Sequence, residues 1–124
     1  MNKNDLTAAS PFRKRLAAYF AERFPLSSHL SMVFIYFLAN QFLAQILCEP
    51  EHPMRIGWFT LLGMISLFCL FLHLRVFDEH KDYADDCRFY PDRILSRGLI
   101  TLRHLKILGG TAIAAEFIVA GLRG

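Results

Sequence analysis

Several of the patterns that would make this chain a soluble enzyme or a nucleic-acid binder are missing. Cysteine is scarce: Cys48, Cys69 and Cys87 show no CxxC spacing. Two of the three lie in or beside apolar runs, which argues against a disulfide framework and fits a reducing compartment. There is no HxxxH pair, and His73 and His80 stand seven apart, so zinc is poorly served. No Ser or Cys sits in a recognisable nucleophile setting, and no Gly-rich phosphate loop follows a strand-like run. An excess of one charge is also lacking. The net charge of +3 is too small to suggest a nucleic-acid partner. Internal repeats and low-complexity tracts are absent. The N-terminus is polar through Ala8, and no small-residue cleavage site follows a short apolar core, so it does not read as a cleavable signal.

What is abundant is apolar surface. Of 124 residues, 54% are hydrophobic and only 20% charged, with twelve Phe against one Trp. The mean hydropathy of +0.31 is too high for a soluble domain. The pattern predicts an all-α protein: an integral membrane helical bundle fragment of about three transmembrane helices, preceded by an N-terminal amphipathic interfacial helix. Residues 1–28 form an N-terminal segment and 29–124 a membrane domain, with spans at about 30–48, 57–77 and 103–122. Residues 1–9 are expected to be disordered. Ser10-Pro11 reads as a capping hydroxyl followed by Pro at the first helical position. Phe12, Leu16, Phe20 and Phe24 then recur every four residues, the apolar row of a helix lying in the membrane interface, which Pro25 ends. Asn40, Gln41 and Gln45 are costly against lipid and should face other helices. Trp58 is placed like an interfacial anchor. Thr101 can cap the third span, Gly109-Gly110 would admit a close neighbour, and Glu116 is an acid at membrane depth. His73, near the far end of the second span, is expected to pack against a neighbouring helix.

Basic residues set the expected topology. Lys3, Arg13, Lys14, Arg15 and Arg23 precede the first span, and Arg75, Lys81, Arg88, Arg93, Arg97, Arg103 and Lys106 fall between the second and third. Only Arg55 and Arg123 lie on the other side. The positive-inside rule therefore places the N-terminus and the charged loop 78–102 in the cytoplasm of a bacterial inner membrane or its equivalent.

The loop opens with RVFDEHKDYADD, residues 75–86. At about 100° per residue, Asp78, Glu79, Asp82, Asp85 and Asp86 fall within an arc of roughly 120°. Like charges on one helix face repel, so the stripe wants a counter-cation. Arg88, Arg93 and Arg97 follow closely, and Lys81 lies on another face. Carboxylates suit Mg²⁺, which commonly bridges one or two of them to phosphate oxygens. Guanidinium forks suit the same oxygens. The combination points to a diphosphate whose greasy tail lies among the helices.

The segment resembles the first Asp-rich motif, NDxxDxxxD, of the UbiA-type intramembrane prenyltransferases. Asp78 falls on the Asn position, Glu79 on the first Asp, Asp82 on the second and Asp86 on the third. PDRILSRGLIT resembles the family's Arg-containing loop, with Arg93 and Gly98 at matching places and Ile94 where the family usually has Pro. Arg23-Phe24-Pro25 is similar to the family's Arg-Pro pair ahead of its first span. The resemblance implies Mg²⁺-dependent transfer of an isoprenyl group from a prenyl diphosphate to an acceptor. It implies Asp78, Glu79, Asp82 and Asp86 as metal ligands, with Asp82 and Asp86 catalytic. Arg93 would contact the diphosphate, supported by Arg88, Lys81 and Arg97. Family members are about twice as long and carry a second Asp-rich motif, so this chain corresponds to an N-terminal part, expected to be inactive alone and to need a C-terminal half or an oligomeric partner. The other reading is a non-catalytic three-span membrane protein whose charged loop docks a partner or an anionic lipid.

Overall fold

The computed structural model describes residues 2–124. Among them there is no strand, and all regular structure is helical. After a single 3₁₀ turn at Lys3–Asp5 come α1 (Phe12–Arg23), α2 (Leu26–Cys48), α3 (Trp58–Lys81), α4 (Tyr83–Phe89) and α5 (Leu102–Arg123). Helices α2, α3 and α5 are long and apolar enough to cross a membrane, which makes this an integral membrane protein.

The three spans come from uninterrupted apolar runs bounded by residues that cannot continue a helix. Two residues, Phe24 and Pro25, separate α1 from α2. The segment Glu49–Gly57 turns the chain back and carries two prolines. Helix α3 runs through the apolar stretch and into the acidic one, breaking only at Asp82 before α4 resumes. Thr101 caps α5 as expected: its hydroxyl accepts the His104 N–H at 3.3 Å, and His104 Nδ1 lies 3.2 Å from the Thr101 N–H.

Helix α3 is the central element, packed on both α5 and α2. Against α5 it approaches closely at Gly109, where a Cβ would stand 3.0 Å from Val76 Cγ1; Gly110 faces open space. Of the expected pair of close-approach glycines, only the first is used in this way. The outer faces stay apolar and open, with Ile35, Leu47, Trp58 and Phe117 all exposed, as lipid-facing positions should be.

The buried core gathers at one end of this bundle. Leu6, Tyr19, Val76, Ile94, Leu95, Leu99, Ile100 and Leu105 form one cluster, and Phe24, Leu72 and Ala112 a second beside it. Helix α1 therefore packs on the ends of α3 and α5 and on the loop between them. Of its apolar row, Phe24 is fully buried, Leu16 and Phe20 pack inside and Phe12 stays exposed, its ring edge-on to His104. Two local expectations need correction. Residues 2–9 are not a disordered tail: Leu6 is buried, and the Arg97 guanidinium donates to the carbonyls of Lys3 and Leu6 at 2.9 and 2.8 Å. Ser10 does not cap α1 either, because its hydroxyl accepts the Thr7 N–H instead.

Candidate functional site

The predicted acidic motif lies at the α1 end of the bundle, on the last turn of α3 and on α4. The break at Asp82 leaves its four positions in two environments. Glu79 and Asp86 point inward and are buried. Asp78 and Asp82 are exposed, as are Asp85, Lys81 and Arg88.

The two inward carboxylates are closed by arginines. Glu79 Oε1 accepts from Arg23 Nε at 2.6 Å and from Arg75 Nε and Nη2 at 3.0 and 2.8 Å. Asp86 Oδ2 lies 3.3 Å from Arg23 Nη2, and its Oδ1 lies 2.6 Å from Arg93 Nη1. Arg23 thus bridges two acids that stand seven residues apart. Three guanidiniums meet two carboxylates, so the knot carries one net positive charge. With Glu79 only 1% exposed, these contacts lie largely out of water, where an unpaired charge would be costly. The Arg93 guanidinium also stacks on the Tyr90 ring, 3.8 Å from its centroid.

Burial works against the charge on Arg23, yet the Glu79 hydrogen bond and the charges of Glu79 and Asp86 outweigh it and raise its pKa above the ordinary guanidinium value. Tyr19 belongs to the same cluster. Its hydroxyl is buried and has no hydrogen-bond partner among the described residues. Burial pushes the phenol well above its usual range, the Glu79 charge adds to this, and the nearby Arg75 and Arg23 pull it back only partly.

The structure therefore brings together Glu79, Asp86 and Arg93 from the expected site. Of the expected phosphate-binding residues, Lys81 lies 3.7 Å from Asp82 at the surface, and Arg88 stacks on Phe89. Arg97 is committed to the N-terminal carbonyls. Arg23 and Arg75 carry the knot without having been assigned to it. Arg75 was legible, since it stands one helical turn before Glu79. Arg23 had a weaker signal, its place in the Arg23-Phe24-Pro25 segment singled out ahead of the first span.

Among the described residues, no group of three or more His, Cys, Asp or Glu side chains is arranged to hold a metal ion. The oxygen chemistry of the motif suits Mg²⁺, but Glu79 Oε1 and both Asp86 oxygens are held by arginines while Asp78 and Asp82 are exposed, so the four carboxylates do not converge and the set does not fit the ion in this arrangement.

Within the spans, Gln41 alone of the three expected amides reaches another helix, while Asn40 is exposed and bonds its own helix and Gln45 bonds the α2–α3 turn. Gln41 Nε2 donates to the Arg55 carbonyl at 3.0 Å and to Thr60 Oγ1 at 2.8 Å, and Gln45 exchanges two hydrogen bonds with the Arg55 backbone. His73 Nδ1 lies 2.8 Å from Glu116 Oε1, joining α3 to α5. Glu116 also lines a cavity of about 670 Å³ between α2, α3 and α5.

Comparison of the chain with protein families, with curated proteins and with solved structures finds no match.

Proposed function

We propose that this chain is the diphosphate-facing part of an intramembrane prenyltransferase, with the arginine–carboxylate knot on the cytoplasmic side. The observation that carries the reading is the meeting of Glu79, Asp86 and Arg93 at the mouth of the bundle. These are three of the positions picked out by the resemblance to UbiA-type enzymes. The basic residues around the knot support the orientation.

The knot suits the head of an isoprenyl diphosphate because it is net positive and its arginines present planar forks. In prenyl transfer the bond between the allylic carbon and the diphosphate oxygen breaks, and its electron pair leaves with the diphosphate. Arg93 would meet that charge as it develops. Mg²⁺ supplies further charge neutralisation in such reactions. This chain's own carboxylates do not form its cage.

Binding of geranyl diphosphate to the chain in lipid nanodiscs, followed by ³¹P NMR, tests the reading. Arg93→Ala should weaken binding about tenfold or more, and Arg88→Ala far less. Unchanged binding in Arg93→Ala removes the assignment.

The closure of Glu79 and Asp86 by arginines favours a second reading, in which the knot is structural and the charged face docks an anionic lipid or a partner. No diphosphate binding, together with retention on phosphatidylserine vesicles that salt abolishes, would support it.

A further inference from the structure

The cavity between α2, α3 and α5 is separate from the knot. His73 stands six residues before Glu79 on α3, about 9 Å along the helix axis. At about 670 Å³ the cavity is within the size of small-molecule sites. Its walls include Phe37, Phe59 and Leu67. The Phe37 ring is seated in the space that Gly63 leaves open, where a Cβ would fall 2.2 Å from the ring.

Its polar atoms have a definite sense. Asn40 Nδ2 donates to the Tyr36 carbonyl at 2.8 Å, and Gln41 Nε2 to the Arg55 carbonyl. A carbonyl only accepts, so these bonds fix both amides with their oxygens uncommitted. Glu116 reaches His73 through Oε1 alone. The cavity also holds donors, namely Arg123 at the end of α5, the hydroxyls of Tyr36, Thr60 and Ser66, and one amide N–H each of Asn40 and Gln45, but the second Glu116 oxygen is the one charged acceptor there without a partner. Acceptors at membrane depth call for a donor. The neighbouring His73 and Arg123 favour a neutral donor over an ammonium group.

We propose that this cavity binds a neutral, lipophilic alcohol or phenol whose hydroxyl donates to the Glu116 carboxylate, which His73 holds in place. The ligand enters from the bilayer, since Tyr36, Phe59 and Leu70 line the cavity and are also exposed on the outer surface of the spans. The site does not depend on prenyl transfer.

Isothermal titration of the full chain in nanodiscs, with empty nanodiscs as background, tests it using 4-hexylphenol and its methyl ether, 4-hexylanisole. The phenol should bind about tenfold or more tightly than the ether, which has no donor. Glu116→Gln should remove most of that preference, and Ser66→Phe should exclude both probes. Equal binding of phenol and ether overturns the proposal, as does a Glu116→Gln chain that keeps the full preference. The comparison on the unaltered chain decides the matter even where the Gln substitution prevents folding. A helix of a second copy seated in the cavity would give no binding of either probe and cross-linking of Asn40→Cys between copies, and that outcome also overturns it.

Discussion

Arg23 Nε lies 2.6 Å from Glu79 Oε1, and this one contact ties α1 to the end of α3 across 56 residues of chain. The carboxylate is buried and the guanidinium partly buried. Removing one partner of such a pair strands the other charge. Arg23→Ala should therefore lower stability by about 3–5 kcal/mol. Arg23→Ala combined with Glu79→Gln should cost less than the sum of the two single changes. Thermal unfolding in detergent of the two single variants and the double variant measures both expectations.

The exposed basic residues should behave differently. Lys81→Ala and Arg88→Ala touch no buried acid, and each should change stability by within about 0.5 kcal/mol. Arg93→Ala leaves Asp86 without its 2.6 Å partner and should cost several times more. The same unfolding assay ranks the three.

Alkali should act through Tyr19. Its phenol is pushed up in the folded chain by burial and by Glu79, so folding favours the protonated form. That contribution is whole below the unfolded phenol value of about 10 and is lost as pH rises beyond it. Tyr19→Phe should flatten this alkaline decline. It should also raise stability slightly below pH 10, because it removes a buried hydroxyl that has no partner. Melting temperature against pH for both proteins gives the comparison. Arg23 shows no decline in that window, since its pKa is raised from an already high value.

The two adjacent glycines of α5 should respond oppositely. A Cβ on Gly109 meets Val76 at 3.0 Å, so Gly109→Val forces α3 and α5 apart and should cost about 1–3 kcal/mol. Gly110 faces open space, and Gly110→Ala should add about 0.5–1 kcal/mol through helix propensity. Loss of stability in the second variant would contradict the assigned faces.

The three spans were legible because a run of about twenty apolar residues has few other uses, and Pro25 and the Glu49–Pro53 turn left the breaks little freedom. The cap on α5 was legible because Thr101 acts within one turn. The acidic stripe was visible, but its division was not. Helical angles put Asp78, Glu79, Asp82 and Asp86 on one face, and the break at Asp82 lies beyond any such count. Which acids turn inward depends on α1, since Arg23 draws Glu79 and Asp86 to itself. Contacts of that kind join residues far apart in the chain, and periodicity carries no trace of them. The ordered N-terminal segment escaped for the same reason, because its partner is Arg97.

The clasp of Arg97 on the carbonyls of Lys3 and Leu6 sets an order for biosynthesis. Arg97 stands 94 and 91 residues from these two partners in the chain. The first two spans can enter the bilayer while the ribosome is still translating, but residues 3–6 have no clasp until residue 97 has emerged. At about 5–20 residues per second, the N-terminal segment waits several seconds for its binding partner. A nascent chain arrested before that point would expose the unclasped N-terminal segment to proteases, whereas one arrested beyond the loop would protect it.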